Sequence, residues 1–445
     1  MPHRTPLRHP ARLVPLAFLA VMAVGTGLLA LPAAKAGPGS APLITALFTA
    51  TSAVCVTGLT TVDTATYWSP FGQAVILVLF QIGGFGVMSL GALLGLLVYR
   101  RLGLTTRLVA QAETRTLALG EVRSVLWRIA LTVVAFEAVT TVLLSARFWL
   151  GYGMNATTAA WHGLFHSVSA FNNAGFSLNT DSLMGYVADP WVNLPVILAI
   201  IFGGLGFPVL LELRRRLTEP SRWSTHTRIT VWATVILLLG GTLAVLALEW
   251  SNPSTLGRLA TPDKVLASLF QSVTARTAGF NTIDTSALGP GTLAVLDGLM
   301  FIGGGSAGTA GGIKVTTFFL LGFVIWSELR GEPDVNVHRR RLGPGPQRQA
   351  LTVALLGVAF VGLGTLALLI LTGQSLDRVL FESVSAFATV GMSTGITPGF
   401  DTTPQLVLIT LMFVGRVGPM TIGAALALRS RRQLYRLPEA RPIVG

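Results

Sequence analysis

Four short stretches of the chain carry the same residue types in the same order, and what they offer chemically is main-chain oxygen rather than acid or base. Each opens on Leu-Phe, runs through small hydroxyl residues and alanine, and closes on a glycine: Leu47-Phe48 to Gly58, Leu164-Phe165 to Gly175, Leu269-Phe270 to Gly279, and Leu380-Phe381 to Gly391. The Phe-to-Gly spacing is 10, 10, 9 and 10. Glycine permits torsions that a side chain forbids. Successive carbonyls of Val56-Thr57-Gly58, Asn173-Ala174-Gly175, Thr277-Ala278-Gly279 and Thr389-Val390-Gly391 can therefore turn toward one axis. A ring of carbonyl oxygens can replace the hydration shell of a monovalent cation. Asp63, Asp181, Asp284 and Asp401 follow the four glycines by 5, 6, 5 and 10 residues, which puts one carboxylate per stretch at an outer mouth that would concentrate cations. Capping of the next helix explains any single one of them as well.

A second marker lies further on in each repeat: Gly83-Gly84, Gly203-Gly204, Gly303-Gly304 and Gly415-Arg416, 25, 28, 24 and 24 residues after the first glycine. The third marker expands into Gly303-Gly304-Gly305-Ser306-Ala307-Gly308-Thr309-Ala310-Gly311-Gly312, with Lys314 just beyond. A nucleotide-phosphate loop needs Gly-Lys-Ser/Thr after a soluble strand, and here Ile313 separates Gly312 from Lys314. Non-helical backbone at membrane depth is tolerated where it is buried in protein or lines a water-filled cavity, so a loop lying across a pore fits. Arg416 stands where the other repeats have glycine, and a guanidinium at that depth must be paired or line water. Two readings follow. It is an electrostatic barrier bonded to carbonyls of the loop, or it is ion-paired with Glu137 or Glu382.

The elements that must hold these residues are membrane helices. Charged residues make up 11% of the 445-residue chain, hydrophobic residues 51%, and the mean hydropathy is +0.66, against ~25% charged in an ordinary globular protein. The single cysteine, Cys55, supports no intrachain disulfide framework. Stretches long enough to cross ~30 Å of hydrocarbon fall at 13–31, 71–99, 191–211, 229–248 and 350–371. Three more, 129–146, 299–326 and 406–428, are interrupted by Glu137, Lys314 and Arg416 respectively. The fold expected is an all-α polytopic membrane protein of four tandem repeats. Each repeat has a span, a re-entrant half-helix, a glycine strand and a second span, giving eight transmembrane helices and four half-helices around one pseudo-fourfold pore. The repeats occupy 13–99, 124–213, 229–327 and 349–428, with the loop at 303–314.

The net charge of +13 is an orientation signal rather than a nucleic-acid footprint. Of 32 Lys and Arg, 24 fall in the arm 1–12, the linkers 100–123, 214–228 and 328–348 with their flanks, and the tail 429–445. The positive-inside rule makes those segments and both termini cytoplasmic. The opposite face holds nine acids and only Lys35, Arg147, Arg258, Lys264 and Arg378. The arm, the first apolar run and Ala34-Lys35-Ala36 imitate a cleaved signal, but 19 apolar residues exceed an h-region of about 7 to 15.

With its paired markers, Ser52-Ala53-Val54-Cys55-Val56-Thr57-Gly58-Leu59-Thr60 and a short basic tail ending Pro442-Ile443-Val444-Gly445, the chain resembles the Trk/Ktr/HKT superfamily of potassium transporters over essentially its whole length. It is most similar to the Ktr-type membrane subunit. The resemblance implies potassium bound at Gly58, Gly175, Gly279 and Gly391, with sodium as a second ion, weaker discrimination than in potassium channels, and no organic cofactor. It makes 303–314 an intramembrane gating loop. It implies a homodimer in the cytoplasmic membrane with one pore per chain, regulated by a cytosolic RCK-type, KtrA-like ring of nucleotide-binding subunits. Arg214 to Arg216 and Arg339 to Arg341 would meet that ring or membrane lipid.

Smaller signals point to structure. His162 and His166 are spaced like helical metal ligands but lack a carboxylate between them, and read as packing. Arg276 reads as the partner of a pore-helix acid, and Asp263 and Lys264 as rim residues. Glu137 and Glu382 are the deep acids, too few for an intramembrane enzyme. A proton- or sodium-coupled carrier is the alternative, though such carriers usually show inverted repeats.

Overall fold

The computed structural model describes residues 10–100, 120–337 and 340–428. Residues 1–9 of the arm, most of the linker 100–123, Arg339 and the tail 429–445 lie outside the described residues. One order of elements recurs. A long helix, α1 (Pro10–Leu29), precedes a short one, α2 (Leu43–Val54), an extended segment through Gly58, and a second long helix, α3 (Pro70–Arg100). The same order follows in α4 (Gly120–Tyr152), α5 (Ala156–Asn172), α6 (Pro190–Leu205) and α7 (Phe207–Arg216). It returns in α8 (Thr225–Glu249), α9 (Thr261–Thr274), α10 (Pro290–Phe301) and α11 (Val315–Leu329), then in α12 (Pro344–Thr372), α13 (Leu376–Phe387) and α14 (Thr402–Leu428). A two-residue hairpin pairs Asn336–Val337 with Arg340–Arg341 before α12.

Among the described residues, four helices are long and apolar enough to cross a bilayer, within α3, α4, α8 and α12, and the bent pair α6–α7 makes a fifth when its two pieces are counted as one span. Leu131, Val142 and Leu150 on α4, Leu239 and Leu243 on α8, and Leu363 and Ile370 on α12 are exposed. Lipid, not water, suits such outward faces.

The repeats are joined side by side, and the marker phenylalanines do the joining. Phe48, Phe165, Phe270 and Phe381 are all fully buried. Phe165 enters a core built mainly of first-repeat residues such as Ile76 and Phe80, and its ring meets Phe80 edge-on at 5.6 Å. Phe270 enters the second-repeat core around Val196 and Ile200. Phe48 lies in the core of the third and fourth repeats with Phe381. Burying one such ring contributes on the order of 1.5–3 kcal/mol.

The interval 191–211 is not one straight span. It breaks at Gly206 (φ 91°), where α6 and α7 meet at 105° and Pro208 stands in the first turn of the second piece. The break has a tertiary cause: Phe207 N donates to Ala307 O at 3.3 Å, and a Cβ at Gly206 would strike Ser306 O. The interval 299–326 is likewise divided, with α10 ending at Phe301 and α11 starting at Val315.

Candidate ion filter and the loop beneath it

Each short helix delivers its C-terminal end to the strand that follows. Helix C-termini carry a partial negative charge, roughly −0.5 each, so four of them favour a cation at their meeting point. The turn out of the helix is fastened alike in three repeats: Thr57 N donates to Ser52 O at 2.7 Å, Ala174 N to Ser169 O at 2.7 Å, and Val390 N to Ser385 O at 2.8 Å. In the third repeat, one residue shorter, Ala278 N reaches Thr274 O at 2.9 Å. The hydroxyl four residues after each marker phenylalanine then braces the strand. Ser52 Oγ accepts from Gly58 N at 3.0 Å and Ser385 Oγ from Gly391 N at 3.1 Å. Ser169 Oγ donates to Phe176 O at 2.8 Å and Thr274 Oγ1 to Phe280 O at 2.8 Å.

The strands share a backbone pattern that residue types conceal. Gly58, Gly175, Gly279 and Gly391 have φ of 89°, 70°, 79° and 93°, and so, two residues earlier, do Val56, Asn173, Thr277 and Thr389, at 57°, 59°, 77° and 50°. The segment is not a β-strand, whose φ stays negative throughout, because its torsions are left-handed at both ends. For valine and threonine that conformation is strained, a kind of strain that clusters at functional sites.

The four glycines close a ring. A methyl group added to Gly58 would collide with Ala174 O and Gly175 Cα, one on Gly175 with Ala278 O and Gly279 Cα, one on Gly279 with Val390 O and Gly391 Cα, and one on Gly391 with Thr57 O and Gly58 Cα. The contacts run in cyclic order, so the first and third repeats face each other, as do the second and fourth. The carbonyls just before the glycines are the groups at closest approach. Flanking side chains Val56, Thr57, Asn173, Ala174, Thr277, Ala278, Thr389 and Val390 are all buried.

Above the ring opens a cavity of about 500 Å³ whose wall includes all four glycines, Asp63 and Asp284. Asp63 also caps the turn after it through Ala65 N at 3.0 Å and accepts from Thr180 Oγ1 of the second repeat at 2.8 Å. Asp284 accepts from Ser286 N at 2.9 Å, and Asp181 from Gly185 N at 3.0 Å. Asp181 and Asp401 are exposed and contribute nothing to that wall. Capping and cavity lining thus coincide at Asp63 and Asp284.

Below the ring, the glycines of the second marker let α3, α6 and α14 lie against the short helices: a Cβ at Gly83, Gly203 or Gly415 would strike Val54 O, Phe171 O or Phe387 O. Gly303 is different, because the backbone facing it is Gly311 of its own loop. The loop is tied to itself by Gly303 N to Ile313 O at 2.9 Å and Val315 N to Gly304 O at 3.0 Å, and to the second repeat by Gly305 N to Gly204 O at 2.8 Å and Thr309 N to Gly203 O at 3.1 Å. Gly308 also packs on Gly204 O, Ala307 touches Gly91 of the first repeat, and Gly311 packs on Thr389 and Ala388 of the fourth. Ser306 Oγ pairs with Thr316 Oγ1 at 3.1 Å, Gly312 (φ 64°) turns the chain back, and Lys314 Nζ bonds to Ala310 O. The segment therefore reaches all three other repeats.

Arg416 is 3% exposed. Its Nη1 donates to Thr309 O, while Nε and Nη2 have no partner. The ion-pair reading is overturned, because both glutamates are engaged elsewhere. Glu137 holds Gln81 Nε2 at 3.3 Å and Asn172 Nδ2 at 3.0 Å, whereas Glu382 holds Ser393, Thr394 and Thr397. Arg276 needs correcting too: its Nη2 donates to Gly303 O at 3.0 Å and its Nη1 to Thr234 O at 3.4 Å. Main-chain oxygen replaces the expected acid, because the only acid on α9, Asp263, stands at the far end of that helix. Lys264 is no open rim residue, being 9% exposed with Nζ on Trp250 O at 2.8 Å. His166 bonds to Ser177 Oγ at 2.9 Å. One deep acid escaped the reading as such: Asp297, inside α10, whose Oδ1 is buried without a partner.

With this geometry in place, the sequence comparisons are decisive. The profile of the TrkH family, cation transport protein, matches residues 10–432. The chain belongs to the TrkH family. Within it, Ktr system potassium uptake protein B of Bacillus subtilis (strain 168) is 39% identical over 98% of this chain and 97% of its own. The protein of the same name from Vibrio alginolyticus is 38% identical over 98% and 94%. The potassium/sodium uptake protein NtpJ of Enterococcus hirae is 33% identical over 98% and 97%. The crystal structure of the potassium transporter TrkH from Vibrio parahaemolyticus has the same fold, with a TM-score of 0.71 at 21% identity, covering 95% of this chain and 86% of the other. As a TrkH-family member the chain places all four strand glycines in one ring and its glycine-rich loop under them.

Proposed function

We propose that this chain is a potassium-uptake subunit of the Ktr type, passing ions through a filter of main-chain oxygens at Gly58, Gly175, Gly279 and Gly391. The observation that carries the reading is the closed ring, in which the carbonyl before each glycine abuts the glycine of the preceding repeat. Cations collect in the cavity lined by Asp63 and Asp284. They dehydrate against the strand carbonyls and meet the loop 303–314 below. Bound across the path by all three other repeats, that loop is the gate, and Arg416, with two unpartnered nitrogens, is its electrostatic latch. Eight spans arise when α1, α10–α11, α14 and the bent pair α6–α7 cross together with the four helices long enough on their own.

The cytoplasmic face carries Arg214, Arg215 and Arg216, all exposed, the place for an RCK-type regulatory ring, and the subunit works as a homodimer in the cytoplasmic membrane. Relatives named as component B of a Ktr system support that assembly. A second reading, sodium-coupled uptake, is favoured by the relative named for both ions. Liposomes containing the purified chain test both. Potassium and rubidium uptake are expected, and Gly279→Ser, which puts a side chain at φ 79° against Val390 O, removes it. Equal uptake by that variant overturns the filter, and potassium entry that requires sodium on the same side establishes coupling.

A further inference from the structure

The residue directly after each marker phenylalanine is Thr49, His166, Gln271 or Glu382. All four are buried, none more than 1% exposed, and they occupy one position of the repeat, behind the strand that leaves the ring. In the fourth repeat, Glu382 Oε1 accepts from Ser393 Oγ at 2.7 Å, Thr394 N at 2.7 Å and Thr394 Oγ1 at 3.0 Å, and Oε2 accepts from Thr397 Oγ1 at 2.6 Å. Every partner is a donor, which is what a buried carboxylate needs. In the second repeat, His166 Nε2 meets Ser177 Oγ at 2.9 Å and Leu178 N at 3.4 Å. Ser177 and Leu178 follow Gly175 by two and three residues, as Ser393 and Thr394 follow Gly391. The same two places are tied in both repeats.

In the other two repeats the position is untied. Gln271 Nε2 and Oε1 have no partner, and neither does Thr282 Oγ1, three residues after Gly279. Thr49 Oγ1 and Thr61 Oγ1, three residues after Gly58, are likewise alone. Because the glycines contact in cyclic order, the tied repeats face each other across the axis, and so do the untied ones. The residues two beyond each glycine, Thr60, Ser177, Asn281 and Ser393, all line the outer cavity. A tether from behind therefore acts on groups that an arriving ion meets before the ring.

We infer that His166 and Glu382 are positioning residues for ion discrimination: as opposed tethers they fix two sides of the mouth, while the sides behind Thr49 and Gln271 yield. A rigid oxygen cage discriminates by size better than one that shrinks around a smaller ion, and here only one diagonal is tied from its own short helix, Asn281 of the third repeat being held instead by Ser182 Oγ and Leu183 N of the second. This rests on the filter reading above.

The test compares potassium and sodium uptake by the full-length chain in liposomes, as half-saturation, maximal rate and ion ratio. Glu382→Gln keeps the shape but sets an NH2 donor among donors. The expected result is a severalfold higher potassium half-saturation and a lower potassium-to-sodium ratio, with the maximal rate retained. His166→Ala moves both in the same direction, and His166→Gln, which keeps an acceptor for Ser177, restores part. Gln271→Glu adds a tether on the yielding diagonal and raises the ratio. If Glu382→Gln does not accumulate, Thr397→Val removes one of its donors and is expected to lower the ratio by less. Changes in maximal rate alone, or an unaltered ratio in the accumulated variants, overturn the inference. Gly279→Ser in the same series separates the failures. Its loss of uptake alongside unaltered tether variants sinks only the tethers, while its normal uptake sinks the filter itself.

Discussion

At the level of the strand glycines the four repeats are close to interchangeable, and a short distance below they are not. Above, each repeat supplies a hydroxyl brace, a left-handed residue and a left-handed glycine. Below, the first, second and fourth repeats present a glycine to the end of a short helix, whereas the third folds its own loop into that place. Binding a spherical ion by oxygens from all sides asks for equivalence. Opening and closing a path needs only one part that moves, and equivalence would require four parts to move together. On the proposed function, the same chemistry, a glycine where a side chain would not fit, serves fixed geometry in one layer and compliance in the other.

Identical substitutions in the two layers break or sharpen that contrast. The largest effect is expected from Gly391→Ala. A left-handed alanine costs about 1–2 kcal/mol in backbone conformation alone, and its methyl has no room beside Thr57 O. Uptake measured in cells lacking other potassium systems should disappear, and alanine at Gly58 or Gly175 should do the same. Gly308→Ala meets Gly204 O in the loop and should change the rate of uptake while leaving the potassium-to-sodium ratio intact. A ratio altered by Gly308→Ala and preserved by Gly391→Ala would reverse the assignment of the two layers.

Arg416→Ala comes next. Its bond to Thr309 O joins a charged donor to the loop, an interaction of about 1.5–3 kcal/mol, so its loss should raise the open population roughly tenfold or more. Potassium flux without any regulatory partner should rise accordingly, with selectivity unchanged, and Arg416→Lys should fall between. Unaltered flux would leave the arginine a structural cation and the loop without its latch.

How far these features could be read beforehand follows from where their causes lie. The repeat was legible because its markers answer to contacts each repeat makes in the same way: the phenylalanine plugs a neighbouring core and the glycine admits a carbonyl. Apolar length foresaw the four helices long enough to cross, whereas 191–211 breaks at Gly206, a bend imposed by Ala307 and Ser306 some hundred positions away along the chain, and 299–326 is divided by its own loop. The partners of Arg276 were illegible because they are main-chain oxygens, which every residue type supplies, whereas a bond from Arg416 to a loop carbonyl was one of its two readings and is found at Thr309 O. Left-handed Val56, Thr277 and Thr389 ran against expectation, since residue type argues against that torsion. The alternation of ties at Thr49, His166, Gln271 and Glu382 emerges only once the partners across each strand are known.

The smallest effect belongs to the cavity above the ring, where the repeats begin to differ again. Asp63 and Asp284 line it, each five residues past its glycine, whereas Asp401, ten residues past its own, does not, so the four carboxylates are unequal. Asp63→Asn keeps a competent cap for Ala65 N, because asparagine caps as well as aspartate, and removes only the charge. The half-saturation concentration for potassium should rise modestly at low ionic strength. An impermeant salt that shortens the screening length from ~30 Å at 0.01 M to ~10 Å at 0.1 M should erase the difference. Asp401→Asn should do nothing under either condition. A salt-independent change at Asp63 would mean that its bond to Thr180, and not its field, is what the mouth requires, and the carboxylates would then belong with the braces of the ring rather than with attraction of the ion.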